Sequence, residues 1–233
     1  TSLLATECSG SGYSFSVAYG AHTGIGTLPI LYYGNDEQKQ KYIPKLASGE
    51  WKAAYCLTEP SAGSDANSGK TKAKLTDDGK HYVLNGQKMW ITNGGFADVF
   101  TVFAKIDDDE NLSAFIVDAH SEGISLNPEE KKMGIKGSST RQLFFENVEV
   151  PVENVLGEVG KGFKVAMEIL NNGRLGTSPA SFGVAKKVID MSIKYANERK
   201  QFGQHIAQFS LVKEKISRMS MLAYGMQCVG YLT

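Results

Sequence analysis

The fold turns on the stretch His81-Tyr82-Val83-Leu84-Asn85-Gly86-Gln87-Lys88-Met89-Trp90-Ile91-Thr92. Apolar and aromatic residues recur there at a spacing of two, and Asn85-Gly86 interrupts them with the dipeptide that most favours a two-residue turn. The reading is a β-hairpin. Strand patterns spread outward from it: Lys70 to Leu75 upstream, then Val99 to Lys105, Leu112 to Val117, Gly123 to Leu126 and Gln142 to Val150, the last carrying Phe144-Phe145. The acidic run Asp107 to Glu110 reads as a solvated hairpin tip. About seven short strands from Lys52 onward predict an antiparallel β-barrel or sandwich.

Helical patterns flank this region. Small and apolar residues crowd Gly12 to Tyr33, as in a buried, closely approached helix that turns at Gly34. Asn35 stands three residues before Gln38, with Asp36 and Glu37 in the first turn and Gly49 after Lys45, which predicts a capped helix over Asn35 to Ser48. Beyond Pro151 one helix opens at Gly160-Lys161-Gly162 and reaches Leu170, and a second occupies most of Ser181 to Arg199. Pro179 either starts that second helix or kinks it. A last helix begins near Ser210 and sets Val212, Ile216, Met219, Leu222, Met226 and Val229 on one stripe, which needs a facing helix. The expected class is α+β: a helical N-terminal part over 1–51, a β-barrel middle domain over 52–155 and the first helices of a C-terminal bundle over 156–233.

Composition narrows the function. The 233 residues are 42% hydrophobic and 21% charged, enough for more than one packed core. Lys plus Arg (25) balance Asp plus Glu (25), so no net field draws in nucleic acid or an anionic membrane. The three cysteines Cys8, Cys56 and Cys228 are odd in number and far apart, which argues against a disulfide framework. No apolar run is long enough for a transmembrane segment, and no targeting segment is evident. The chain starts without Met and stops within a helical pattern, so both ends read as cut.

Several motifs are decoys. Gly63 to Thr71 resembles a phosphate loop, but five residues separate its two glycines where four are needed, and strand alternation follows the Lys. The histidines His22, His81, His120 and His205 lack metal-ligand spacing and read as surface or capping residues. No Ser occupies a nucleophile elbow. Two turns stand out instead. Tyr55 to Asp65 runs a strand edge into small hydroxyl residues and glycine, where backbone N–H groups and the hydroxyls of Thr58, Ser61 and Ser64 can hold a polar cofactor edge or a phosphate. Trp90 to Gly95 joins an aromatic residue to a glycine pair. By composition alone, each is as well explained as a simple turn.

Taken together these segments resemble the acyl-CoA dehydrogenases, flavoenzymes that desaturate fatty acyl thioesters at the α,β bond. The resemblance spans essentially the whole chain, through Tyr55 to Asp65, Asn85 to Gly95, Met133 to Ser138, Val150 to Gly157, Gly162 to Met167 and Arg199 to Gly203 in that order. Leu170 to Arg174 is most similar to the very-long-chain branch. The resemblance implies a helical, β-barrel and helical-bundle architecture and an FAD cofactor. It assigns FAD contacts to Tyr55, Leu57, Thr58, Gly63, Ser64, Trp90, Ile91 and Thr92. Thr58 is implied near the pyrimidine end, Thr92 near the reactive ring nitrogen, and Ser64 at a phosphate of FAD or CoA. Arg199, Gln201, Phe202 and Phe209 would meet the FAD of a neighbouring subunit, so a homodimer or homotetramer is implied. Asn171, Asn172, Gly173 and Arg174, with Ser64, are implied as acyl-CoA contacts, although a helix end capped by Asn and Gly explains Asn171 to Arg174 as well.

The implied chemistry needs a base for the α proton. In the family a Glu serves, either at the position matched here by Gly173 or in a Tyr-Glu-Gly-type segment that would fall downstream of Thr233. Glu168 is expected to face solvent beside Lys164. No catalytic base is expected in this chain, and electron-transfer flavoprotein is the implied acceptor. A mitochondrial matrix location follows for a eukaryotic source and a cytoplasmic one for a bacterial source. An acyl-CoA oxidase and a non-catalytic scaffold that binds through the last helix are the alternatives.

Overall fold

A computed structural model describes residues 12–232; Cys8 and the first eleven residues of the expected N-terminal part lie outside the described residues. Residues 17–173 form one compact unit, and residues 12–16 with 174–232 belong to another.

Helix α1 (Tyr13–Gly20) leads into a π-helical stretch (Ala21–Gly26), α2 (Leu28–Tyr33) and α3 (Asp36–Ser48). α3 follows the sequence reading closely. The Asn35 side chain accepts from the Gln38 N–H while Gln38 accepts from the Asn35 N–H, and Gly49 closes the helix at φ +75°. The expected burial from Gly12 to Tyr33 holds only past α1: α1 buries none of its residues, whereas Ala21, Gly26, Pro29 and Ile30 are buried. Close approach is confined to Gly26, where a Cβ would meet Ala21 O and Ala53 C at 2.9 Å.

Among the described residues ten strands follow, eight of them in one sheet. β1 (Ala53–Cys56), β2 (Lys72–Leu75), β3 (His81–Thr92), β4 (Val99–Ile106), β5 (Leu112–Asp118), β6 (Ile124–Leu126), β7 (Thr140–Pro151) and β8 (Val155–Leu156) are paired in the order β6-β7-β3-β2-β4-β5-β8, with β1 on β4. Among the described residues β6 and β8 do not pair, so the expected barrel is an open sheet. It is also mixed, because β1 and β2 both run parallel to β4. The acidic run Asp107 to Glu110 does form the tip between β4 and β5.

The expected hairpin at Asn85-Gly86 is not formed: β3 runs unbroken from His81 to Thr92. The register between β3 and β7 shifts between Leu84 and Gly86, and the extra residue of this β-bulge is on β7, where Asn147 takes φ +54° opposite Asn85. Asn85 exchanges side-chain bonds with Asn147 across the strands. Gly86 sits at φ +156°, and a Cβ there would fall 2.5 Å from Thr71 Oγ1 and 2.8 Å from Thr71 Cα. Close approach of Thr71, in the segment just before β2, and not a turn, demands the glycine.

β1 is buried at all four positions and packs with α2, α3 and the start of α4 (Gly162–Glu198) around Ile30, Leu46, Phe103, Ile116 and Ile169. The other sheet face buries Leu84, Phe100, Phe115, Leu143 and Phe145. His22 ties the helical part to this core: its Nδ1 accepts from the Ala53 N–H at 3.1 Å, and its Nε2 lies 3.1 Å from Leu46 O.

The two helices expected between Gly162 and Arg199 are one, 37 residues long, with Pro179 buried inside it. Pro179 therefore neither starts nor ends an element. The helix-cap explanation of Asn171 to Arg174 falls with it, since that stretch is mid-helix. After the two-stranded ladder β9 (Lys200–Gln201) and β10 (Gln204–His205), α5 (Ser210–Leu232) packs against α4 by its small residues. A Cβ at Gly230 would lie 3.0 Å from Phe182 Cε1, and Tyr231 meets the Phe182 ring edge-on. The expected apolar stripe is the inner face only over its first half: Val212, Ile216 and Met219 are half-buried, but that face continues through buried Ala223 and Gly230, leaving Leu222 and Val229 60% and 59% exposed. No helix of the described residues is long and apolar enough to cross a membrane.

Two outcomes follow. Gly86→Ala lowers unfolding free energy by about 1–3 kcal/mol, read from urea denaturation, because strain and the Thr71 clash add. Burial holds the His22 pKa below the ordinary imidazole value. A depressed folded-state value means stability is complete above the unfolded value and is lost as pH falls through the folded one. His22→Gln, which keeps one acceptor and one donor, removes the corresponding part of the stability change between about pH 7.5 and 5.

Candidate functional site

The turn after β1 and the end of β3 lie side by side. The Met89 N–H donates to Thr58 O at 2.8 Å; past the end of β3, the Asn93 N–H donates to Ser139 O, just before β7, at 3.1 Å. A buried ion pair clamps the two segments. Lys88 Nζ lies 2.7 Å from Glu59 Oε1, with 1% and 4% of the two side chains exposed. Every donor and acceptor direction is used: the ammonium also donates to Leu57 O at 3.3 Å and Phe103 O at 2.6 Å. Glu59 also accepts from the Lys70 N–H at 2.5 Å and the Thr71 N–H at 3.1 Å. Burial alone would raise the Glu59 pKa, but the Lys88 charge and these hydrogen bonds outweigh it and hold the carboxyl below its usual range.

One residue past the clamp the strand bulges, with its register to β7 shifting between Lys88 and Ile91. Trp90 takes φ +60° in this bulge and is 56% exposed, whereas Ile91 is buried. A bulky residue in the left-handed region is costly and persists only where its surroundings hold it. Here the clamp holds one side. On the other, buried Asn93, at φ +65°, donates from Nδ2 to Ala18 O at 2.9 Å. The result is an indole presented on the surface, on the segment that pairs with Thr58 through Met89; Thr58 and Thr92 are half-buried and Ser64 is exposed. An apolar face rimmed by hydroxyls and backbone N–H groups suits a planar, polar-edged ring.

The remaining expected residues are placed as follows. Tyr55 and Leu57 belong to the core, and the Tyr55 hydroxyl donates to Ala166 O at 3.2 Å, so only their backbone faces the turn. Burial pushes the Tyr55 phenol and the adjacent Cys56 thiol far up. Gly63 is exposed, with open space where a Cβ would stand. Asn171 and Asn172 are exposed on α4, and a Cβ on Gly173 would meet Ile25 Cγ2 at 3.3 Å, so a larger side chain is crowded there. Glu168 lies 3.9 Å from Lys164 and accepts from the Tyr33 hydroxyl.

Arg174, Arg199, Gln201, Phe202 and Phe209 belong to the second unit. Phe202 and Gly203, at φ +53° and +77°, turn a tight hairpin between β9 and β10. Phe202 is 93% exposed and meets the Phe209 ring edge-on. A cavity of about 340 Å³ lined by Tyr42, Trp51, Asp98, His120 and Glu149 contains none of the expected site residues.

Sequence reasoning missed Glu59, Lys88 and Asn93. A signal existed for Lys88, which shares the inward parity of Leu84 along β3 and is a charge where the pattern asks for an apolar residue.

Family models match in chain order: the acyl-CoA dehydrogenase N-terminal domain over residues 1–50, its middle domain over 54–148 and its C-terminal domain over 160–232. The chain belongs to the acyl-CoA dehydrogenase family. It is 55% identical, over its whole length, to a probable acyl-CoA dehydrogenase of Bacillus subtilis, covering 39% of that protein. It is 52% identical over 93% of its length to the human mitochondrial very long-chain specific acyl-CoA dehydrogenase, covering 34% of that protein. The chain thus spans 34% to 39% of the length of these relatives. Among solved structures, an acyl-CoA dehydrogenase from Bacillus anthracis complexed with FAD aligns with TM-score 0.93 at 54% identity, over 96% of this chain and 38% of that one.

Trp90→Gly relieves the left-handed strain at an exposed position. It is expected to raise unfolding free energy by up to about 1 kcal/mol in urea denaturation, in spite of the lost ring.

Proposed function

We propose that the protein carrying this chain is an FAD-dependent acyl-CoA dehydrogenase that favours long acyl chains and passes electrons to an electron-transfer flavoprotein. The observation that carries the reading is Trp90: an exposed indole held at φ +60° next to Met89, whose N–H pairs with Thr58 O. Strain kept at a surface aromatic makes sense where a ring must be met. The FAD-bound relative and the very-long-chain relative support the cofactor and the substrate class.

In this reading Trp90 and Ile91 border the flavin, and Thr58 and Thr92 bond its polar edge. The turn through Gly63 and Ser64 meets a phosphate. Arg199, Gln201, Phe202 and Phe209 serve the cofactor of a neighbouring subunit in a homodimer or homotetramer, the planar Arg fork suiting a pyrophosphate. Asn171, Asn172, Gly173 and Arg174 line the acyl-CoA path. FAD, when bound, accepts the hydride from the β carbon as the α proton leaves.

The proton acceptor is assigned outside residues 1–233. Gly173 has no side chain, and Glu168 is engaged by Lys164 and Tyr33. The domain limits 1–51, 52–155 and 156–233 go with this assignment. So does a location in the mitochondrial matrix for a eukaryotic source or the cytoplasm for a bacterial one.

The full-length protein, purified, is expected to be yellow and to bleach anaerobically with palmitoyl-CoA more completely than with butyryl-CoA. Reoxidation by electron-transfer flavoprotein without peroxide is also expected. Colourless protein that neither retains added FAD nor bleaches would overturn the reading, and stoichiometric peroxide would turn it into an oxidase. Trp90→Gly is expected to retain flavin about tenfold less well, opposite in sign to its effect on stability.

A further inference from the structure

Glu59 and Lys88 are 29 residues apart in sequence, buried together and bonded at 2.7 Å, yet neither reaches the surface where the cofactor is placed. A buried pair of this kind is weak evidence for stability, since well-packed apolar residues would serve as well. What it supplies is geometry. Lys88 immediately precedes Met89, whose N–H grips Thr58 O, and stands two residues before strained Trp90. Glu59 immediately follows Thr58 and fixes the far end of the turn through Lys70 and Thr71. The ammonium also reaches the Leu57 and Phe103 carbonyls, so both flanks of Thr58 and the neighbouring strand β4 are referred to one point.

We propose that Glu59 and Lys88 are positioning residues for the flavin, setting the spacing between Thr58 and Trp90 from beneath without touching the cofactor. The inference rests on the reading above and adds residues that it does not use. A fixed point under both turns is what a site made of two separate backbone segments requires. Removing one partner leaves a buried charge seeking water, and the turn that carries it shifts toward solvent.

The test uses the full-length protein. Glu59→Gln can keep one acceptor oxygen for the Lys70 and Thr71 N–H groups, while its amide NH2 replaces the oxygen that Lys88 bonds, so the charge and the Lys88 bond are removed together. Lys88→Met keeps the length and removes the donor. Each is expected to weaken FAD retention about tenfold and to alter the visible circular dichroism of the bound flavin. Glu59→Asp, which keeps the charge, is expected to recover part of both. The double variant should lose less than the product of the single losses, because the two groups act as one device.

A core variant away from the turns, Val148→Ala, supplies the comparison for a purely structural role: it lowers the melting temperature with flavin affinity and spectrum unchanged. If FAD retention in the pair variants merely tracks melting temperature along the same line as Val148→Ala, or stays at the parent value, the proposal is overturned. Should Lys88→Met not fold, Glu59→Gln decides by the same readouts. A parent protein that binds no flavin overturns the functional reading itself, whereas a flavin-binding parent with indifferent pair variants overturns only the role of Glu59 and Lys88.

Discussion

The contact between Lys88 and Glu59 organises the middle of the molecule. An ammonium in a sheet core is expensive, and its cost is offset only because a carboxylate and two carbonyls surround it. Once it is there, three separate pieces of chain must arrive together: the turn after β1, the last third of β3 and the middle of β4. Neighbouring features then have little freedom. Met89 finds Thr58, the strand has to bulge to continue toward Thr140, and the extra residue of that bulge is Trp90. The exposed indole is thus a downstream consequence of an interaction that lies wholly inside.

β3 carries two irregularities with different causes. At Gly86 the cause is crowding, because Thr71 on the neighbouring segment leaves no room for a side chain. At Trp90 the cause is anchorage, because residues on both sides are fixed by contacts to other elements. The first makes β3 fit its sheet, and the second turns a side chain out of it. Each has one extra residue in the ladder, on β7 at the first and on β3 at the second, and only the second leaves a bulky group, Trp90, in a backbone conformation it would not choose. That asymmetry separates a structural bulge from a candidate functional one without reference to any ligand.

The legible parts of the fold are those whose causes are local. The α3 helix was readable to its caps, because Asn35, Gln38 and Gly49 act within a few residues of one another. The order of helical, sheet and helical regions was readable from the change of period. Asn85-Gly86 misled because a turn-forming dipeptide and a bulge-forming one are chemically identical, and the choice is made by Thr71, fifteen residues upstream. Pro179 misled because a proline breaks an isolated helix, while in α4 buried residues on either side, Ile169 and Phe182 among them, carry the helix through. The two site turns were recognisable as motifs, but their juxtaposition was not, since it depends on the long-range pair.

The titratable groups buried in residues 17–173 share a property that bears on the proposed chemistry. Glu59 is committed to Lys88 and two backbone N–H groups, and His22 uses both ring nitrogens on the backbone. The Tyr55 hydroxyl is given to Ala166, and the Cys56 thiol is held protonated by burial. Each is locked into holding the scaffold and none is poised to exchange a proton with a ligand. A reaction that removes a proton beside this surface must therefore recruit its acceptor from outside this group. The division is physically sensible: a base has to titrate and be reached, whereas the groups that place a cofactor must do neither.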